Sequence, residues 1–287
     1  TMALQKGEDK EIEYKWKRIC DVSRTGFEEH MEWFDVHPVE CGESFYRDKL
    51  SGIVSLLQEK NLAVESGGAQ CVFVQLGKKT HPYIVQKNDK SLLYATTDQA
   101  ALQYRTQELQ AEKIVYLTDT AQQLHFQQLF ALAGDLGWDK LPNGQKVQLD
   151  HAYFGAVLGE DGTRMKSRAG APVKLKDFVQ QAEDKASEAI QKASFNSGKT
   201  DVKRVAQAAI KFYELSNQRT QNYKFSFDHM MQFHGCTGAY LLYAYSRMVS
   251  IIEKFHGAPF SLDMLACNKE VALEFSHPNE VSLLTHL

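Results

Sequence analysis

The chain has 287 residues, of which 43% are hydrophobic and 11% aromatic, and its formal net charge at pH 7 is −3. A chain of this length and apolar content can bury a substantial core and fill one large or two ordinary domains. The negative charge excludes a global attraction for nucleic acid, so any contact with RNA depends on local basic surface, and we expect no DNA partner.

Membrane insertion and secretion are not indicated by the sequence. The longest apolar stretch, residues 239–252, contains Arg247 and is too short to cross a bilayer, and the charged residues 6–18 lack the apolar core of a signal peptide. Five cysteines are scattered singly without a C-x-x-C pair, which argues against a disulfide framework or a structural zinc site. We therefore expect no membrane partner, no metal site and a reducing, cytoplasmic compartment, with an organelle as the alternative.

The first ninety residues predict two helices and a hairpin. Apolar side chains recur at helical spacing over residues 11–34, and a second helix is predicted over residues 46–60. Residues 71–74 and 83–85 have the β-branched and aromatic composition of strands, and the turn at 77–82 would join them.

Residues 91–154 have the alternating pattern of a parallel sheet. Strands are predicted at 91–94, 113–117 and 147–154. Between them we expect a helix over 97–110, capped by Thr97, and a helix over 122–136, ended by Gly137. Such β-α-β-α-β units bind ligands beyond the carboxyl ends of their strands. The polar groups predicted to follow those ends are Tyr94 with Asp98, Asp119 with Gln122, and His151 with Gly155.

The remainder of the chain is predicted to be a basic loop followed by helices. Glycines bound a loop over 159–170, and helices are expected over 175–193, 201–218, 227–255 and 268–287, with a linker at 195–199. We place the domain boundary there, giving domains 1–198 and 199–287. Cations outnumber acids between residues 199 and 224, which is consistent with an RNA-facing surface or with an ordinary solvated helix face.

Several segments resemble one enzyme family, in that family's order. The run HAYFGAVLGEDGTRMKSRAG at 151–170, followed by PVKLKD at 172–177, resembles the arginyl-tRNA synthetase segment around the signature loop of class I synthetases. The other matching segments are ESFY at 43–46 with GA at 68–69, YATTD at 94–98 with Tyr116, Gln122, His125 and Phe126, LSNQR at 215–219 with Tyr223 and FSFD at 225–228, and GCTGAYLLYAYSR at 235–247. The resemblance covers nearly the whole chain.

The resemblance implies a pocket for the substrate arginine. It assigns Tyr94, Asp98 and Gln122 to this pocket. A carboxylate such as Asp98 presents two acceptors to the guanidinium fork, and an aromatic ring can stack on the planar cation. The alternative for Asp98 is that it only compensates the dipole of the helix beginning near Thr97. We interpret His125 as a buried histidine with at most a supporting role.

The resemblance also implies sites for ATP and tRNA. Residues 164–168 are a degenerate version of the KMSKS signature, in which Lys166, Arg168 and Arg164 would stabilise charge on the departing pyrophosphate. The remaining ATP-binding residues implied by the family are His151, Phe154, Gly155, Val157, Met165 and Ser167. Gly155 fits this role because close approach of backbone to a ligand favours a missing Cβ. The tRNA-binding candidates are Arg219, Asn222, Tyr223 and Arg247.

The implied fold is α/β: the second half of a Rossmann-like class I synthetase catalytic domain, with parallel strands, followed by part of an α-helical bundle. The implied function is arginine–tRNA ligase, with L-arginine, ATP and tRNA(Arg) as substrates, Mg accompanying ATP, and no bound cofactor. The alternatives are an inactive paralogue that binds arginine or tRNA, and another class I synthetase such as the cysteinyl type, which the lack of a zinc-ligand cysteine cluster disfavours.

Two departures from the family pattern are notable. None of the ten histidines lies in a His-x-Gly-His motif, so the HIGH signature that binds ATP is missing from these 287 residues. We therefore expect the chain to be an incomplete piece of the enzyme that is inactive alone. The family's Gly-Asn-Thr-Ala-Pro pattern is also altered, with Cys236, Gly238 and Ala239 in place of Asn, Ala and Pro.

Overall fold

The computed structural model describes residues 9–159, 161–163, 173–192, 201–254, 277–279 and 281–282. The helices are α1 Lys10–Phe34, α2 Leu50–Glu59, α3 Tyr94–Gln103, α4 Gln123–Leu136, α5 Leu175–Lys192, α6 Val202–Ser216, α7 Phe227–Met230 and α8 Gly238–Lys254. The strands are β1 Ala63–Ser66, β2 Ala69–Leu76, β3 Lys79–Gln86, β4 Lys113–Tyr116, β5 Gln148–His151, β6 Val157–Leu158 and β7 Tyr223–Lys224. Short 3-10 segments at Glu43–Lys49 and Thr120–Gln122 precede α2 and α4, and a π turn at Tyr104–Glu108 follows α3.

An antiparallel sheet of order β1-β2-β3 lies in the first half of the chain. The predicted hairpin is confirmed as β2 and β3. Strand β1 was not predicted, because it is only four residues long and mostly exposed. Gly67 and Gly68 make the tight β1–β2 turn, and both have the positive φ that glycine adopts without steric cost. Helix α2 contributes Leu50, Ile53 and Leu57 to the core beneath this sheet.

The parallel part of the fold consists of β4 and β5, which pair in register from Lys113↔Gln148 to Tyr116↔His151. A further parallel bridge joins Asp119 to Phe154, so the segments that follow β4 and β5 stay side by side beyond the strands. Helix α4 connects them and ends as predicted at Gly137, which is left-handed with φ 74°.

The strand predicted at 91–94 is wrong. Only Leu92 makes an isolated bridge, antiparallel to Gln86, and helix α3 already begins at Tyr94. The backbone N–H groups of Thr96 and Thr97 both bond to the Leu93 carbonyl, so Leu93 is the cap, and Thr97 is buried in the helix rather than capping it. The short apolar run before Tyr94 therefore leads into the helix and does not add a strand to β4.

The helical part surrounds a second core. Ala182, Ile190, Ala206 and Ala239 are buried there, together with Trp33 from the end of α1. The Trp33 indole Nε1 donates to the Glu183 carboxylate at 2.6 Å, which fastens α1 to α5. Because α5 packs against α6 in this core, helices on both sides of the predicted boundary share one cluster; the boundary itself stays a prediction.

The single helix predicted over 227–255 is wrong, because α7 ends at Met230 and α8 begins only at Gly238. The Thr237 hydroxyl accepts the Tyr240 N–H at 3.2 Å and begins the new helix. The helix predicted over 268–287 lies mostly outside the described residues. Among the residues that are described, no helix is both long enough and apolar enough to cross a membrane.

Candidate functional site

Helix α3 presents Tyr94 and Asp98 on one face, because residues four apart on a helix are neighbours. The Asp98 carboxylate is paired: its Oδ2 lies 2.7 Å from Nε2 of His125 on α4. The two partners differ in exposure, since 32% of the Asp98 side chain but only 8% of the His125 side chain is accessible. The prediction that His125 is buried is confirmed, and its link to Asp98 was not predicted.

Aromatic rings surround this pair. The Tyr94 ring meets the His125 ring edge-on with centroids 4.9 Å apart, and Tyr83 stacks on the other side at 5.7 Å and 25°. Burial, and then the nearby Asp98 charge, raise the pKa of the Tyr83 phenol well above its usual range, so the phenol stays neutral. Tyr94 itself is 60% exposed, which leaves its ring available to a ligand.

A cavity of about 410 Å³ opens beside these rings. It lies between β3, α3 and α4, and Tyr83, Tyr94 and His125 form part of its wall. Gln128 lines it as well and donates through Nε2 to the Pro82 carbonyl at 3.0 Å, which ties α4 to β3. The cavity is large enough for an amino-acid side chain. Asp98 is linked to its wall through His125, to which the Asp98 carboxylate is hydrogen-bonded.

The carboxyl ends of β4 and β5 form a second cluster. Nε2 of His151 forms a hydrogen bond with the Thr118 hydroxyl at 2.8 Å. The centroid of the His151 ring lies 4.4 Å from that of the Phe126 ring. Burial lowers the pKa of the His151 imidazole, and the positive Arg219 adds to this effect. Phe154 is 41% exposed, while its backbone N–H donates to the Thr118 carbonyl at 3.0 Å.

The segment that contains Gly155 is held by a second segment, residues 219–225, and we call this contact the seam. The Gly155 N–H donates to the Arg219 carbonyl at 2.9 Å, and the Ala156 N–H donates to Oδ1 of Asn222 at 2.7 Å. A Cβ on Gly155 would lie 2.2 Å from the carbonyl oxygen of Gln221. Gly155 thus permits a close approach to the backbone of Gln221, whereas the sequence had led us to expect a close approach to a ligand.

The proposed tRNA contacts also make internal contacts. The Arg219 guanidinium donates to the Tyr153 carbonyl and lies over the Tyr153 ring at 5.6 Å. Tyr223 bonds through its hydroxyl to Glu214. Arg247, on α8, is exposed and lies over the ring of Tyr243, with Nη1 3.2 Å from its hydroxyl.

The other predicted site residues are distributed as follows. Gln122 is exposed at the start of α4, three residues before His125. Val157 pairs with Tyr223 in the parallel strands β6 and β7. Arg164, Met165, Lys166, Ser167 and Arg168 lie outside the described residues.

Comparison with known proteins identifies the class to which this fold belongs. The family model for tRNA synthetases class I (R), catalytic domain, matches residues 1–227. The chain therefore belongs to the arginine branch of the class I synthetase family, which confirms the resemblance and the α/β fold class. The same match does not favour the cysteinyl alternative.

The individual relatives carry the same assignment. An arginine–tRNA ligase of Synechocystis is 43% identical over 88% of this chain and 44% of its own length, and one of Cyanothece is 37% identical over 100% and 49%. The arginyl-tRNA synthetase of Plasmodium falciparum superposes with a TM-score of 0.75 at 29% identity, over 88% of this chain and 43% of that one. The chain thus spans about half the length of the curated relatives it matches.

Proposed function

We propose that this chain forms part of an arginine–tRNA ligase. Such an enzyme joins the carboxylate of L-arginine to the α-phosphate of ATP, releasing pyrophosphate, and then transfers the arginyl group to a ribose hydroxyl of tRNA(Arg). The observation that carries the proposal is the partly exposed Asp98 carboxylate, held by His125 on the same helix face as the exposed Tyr94 ring. Family membership supports it, since the relatives are named for arginine.

Arginine recognition follows from charge and shape. The guanidinium is a planar, permanent cation that pairs well with a carboxylate and stacks on aromatic faces. Asp98 supplies the charge and Tyr94, one helical turn away, supplies the ring. Gln122, near the start of α4, would bond to the polar end of the substrate.

The nucleotide would bind at the carboxyl ends of β4 and β5, as ligands do in open parallel sheets. His151 ends β5, and Phe154, Gly155 and Val157 follow it along the chain as the other proposed nucleotide contacts. Because the pKa of the His151 imidazole is lowered, the ring would face the adenine without adding charge. The signature-loop residues Arg164, Met165, Lys166, Ser167 and Arg168 are assigned from sequence alone: the three cations would stabilise the departing pyrophosphate. Mg²⁺ would arrive with the phosphates of ATP.

The helical part is proposed to contact tRNA. Arg219, Asn222, Tyr223 and Arg247 are the candidates, and Arg219, Asn222 and Arg247 are exposed. An exposed cation neutralises an RNA phosphate without reading sequence, so these residues would position the tRNA. We propose the cytoplasm as the compartment, on the basis of the singly placed cysteines.

Calorimetric titration of L-arginine into the 287-residue chain tests the proposal. We expect Asp98→Asn to weaken arginine binding about ten- to a hundredfold, because a hydrogen bond to a charged group contributes roughly 1.5–3 kcal/mol. If Asp98 served only to favour the helix N-terminus, the substitution would change little. Citrulline, which has the shape of arginine without its charge, is the matched ligand control and should bind weakly to both proteins. Equal affinities of the wild-type chain and a folded Asp98→Asn variant would rule out the arginine pocket.

A further inference from the structure

We infer that His125 is a positioning residue for arginine: it fixes one oxygen of Asp98 and thereby leaves the other oxygen for the guanidinium. The inference rests on the proposed function, because it concerns the same pocket. His125 does not itself touch the substrate in this scheme. It acts only through Asp98, whose Oδ2 lies 2.7 Å from its Nε2.

His125 and Asp98 differ in burial, so one side of the pair faces the protein interior and the other faces solvent. The His125 side chain is 8% exposed and forms the inner side of the pair, while Asp98, at 32%, forms the outer side. In the described part of the chain, His125 is the only hydrogen-bonding partner that Asp98 has through its side chain. The carboxylate is therefore anchored from the protein interior and retains acceptor capacity towards solvent.

The imidazole ring is itself held in place. Tyr83 stacks on it at 5.7 Å, Tyr94 meets it edge-on at 4.9 Å, and Phe126 meets it edge-on at 5.0 Å. Tyr83 is fixed in turn, because its hydroxyl donates to the Ala95 carbonyl at 3.2 Å. A ring packed on these sides cannot swing away from Asp98 without breaking the contacts.

Anchoring of this kind reduces the cost of binding. A free aspartate side chain loses rotamer freedom when it pairs with a ligand, whereas one already held in the binding geometry does not. His125 also connects α4 to α3, so a purely structural role would be expected to affect folding and arginine affinity together. The positioning role and the purely structural role make different predictions. Only in the positioning role should a different hydrogen-bond donor at position 125 restore arginine affinity.

Three substitutions separate these roles. His125→Leu fills the space without a donor, and His125→Gln places an amide N–H near the position of Nε2. Gln127→Leu, on the exposed side of the same helix, is the matched control. We expect His125→Leu to weaken arginine binding about tenfold, His125→Gln to restore it to within about threefold of wild type, and Gln127→Leu to have no effect, with arginine titrated into each purified chain and thermal melts recorded alongside.

The outcomes distinguish this inference from the function on which it rests. If Asp98→Asn weakens arginine binding but a folded His125→Leu does not, the role of His125 is overturned and the pocket stands. If His125→Gln is as weak as His125→Leu while both melt like wild type, a donor at this position has no value, and the inference also fails. If the wild-type chain binds no arginine, the pocket and the inference fall together.

A measurement on the unsubstituted chain covers the case in which His125→Leu does not fold. Long-range ¹⁵N–¹H spectra of the histidine rings report which nitrogen carries the proton. We expect Nε2 of His125 to be protonated, and its resonance to shift when arginine saturates the chain but not when citrulline is added at the same concentration. A His125 resonance that is unchanged by saturating arginine would overturn the inference.

Discussion

His151 lies at the carboxyl end of β5, where burial and the nearby Arg219 lower the pKa of its imidazole below the usual 6.5. The folded chain therefore resists a proton that the unfolded chain accepts. Stability that depends on the neutral ring is complete above about pH 6.5 and is lost as the pH falls below that value.

We therefore expect acidification from pH 7.5 to 5.5 to lower the melting temperature of the wild-type chain more than that of His151→Gln, which cannot be protonated. Thermal melts at both pH values measure the difference. His234→Gln, at an exposed position, serves as the control and should behave as wild type. Parallel pH dependence of wild type and His151→Gln would show that this ring contributes nothing to it.

At the scale of single residues, the sequence predicted one half of the proposed arginine pocket and not the other. Tyr94 and Asp98 are four residues apart, and that spacing alone puts them on one helix face once α3 forms. His125 comes 27 positions after Asp98, and its contact depends on how α4 packs on α3. Local patterns contain no information about that packing, so His125 could be predicted as buried but not as the partner of Asp98.

At the scale of elements, Gly238 explains one departure from the family pattern. Helix α8 approaches α6 so closely there that a Cβ at position 238 would lie 2.2 Å from the carbonyl oxygen of Ala208. The family's alanine would not fit this crossing without a shift of one helix. Glycine at the first residue of α8 is thus required by packing between helices rather than by backbone conformation.

Gly238→Ala should destabilise the chain by about 1–3 kcal/mol, the usual cost of an extra methyl group in a packed interior. Urea unfolding measures the change. Gly134→Ala on α4 is the matched control: no atom lies within 4 Å of its added Cβ, so it should stabilise the chain by roughly 0.5–1 kcal/mol. If the two substitutions had the same effect, the close crossing would not be the reason for Gly238.

Elements were predicted correctly where a local signal ended them. Helix α4 stops at Gly137, a residue suited to the left-handed conformation that terminates helices. The predictions failed where apolar residues continued through a break. Residues 227–255 are rich in apolar and aromatic side chains, and their periodicity does not show that the chain turns between Met230 and Gly238. At residues 91–94 a short apolar run was compatible with either a strand or the start of a helix. In the folded chain this run leads into helix α3, which begins at Tyr94.

At the scale of the whole molecule, the described residues form two hydrophobic cores. One lies between the antiparallel sheet, α2, α3, α4 and the β4–β5 pair, and includes Leu102; the other lies among α5, α6, α8 and the end of α1, and includes Ile190. Backbone and side-chain hydrogen bonds of the seam connect the segments on either side. We therefore expect that each core can lose its packing while the other persists.

We expect calorimetry to resolve two unfolding transitions. Leu102→Ala should lower the midpoint of one transition and Ile190→Ala that of the other, each by removing about 2–5 kcal/mol of core packing. Hydrogen exchange followed by mass spectrometry would assign the transitions to the two cores. A single transition that both substitutions shift equally would mean that the seam makes the chain fully cooperative.

The seam also has a consequence for when, during folding, the proposed nucleotide edge is completed. Tyr153 and Arg219, and likewise Ala156 and Asn222, meet across 66 positions of the chain. Closing a loop of that length costs on the order of 4 kcal/mol of chain entropy, and only a few hydrogen bonds repay it unless the flanking helices and strands are already in place. We therefore expect the edge that carries His151 and Phe154 to acquire its final shape late in folding, after both cores have condensed.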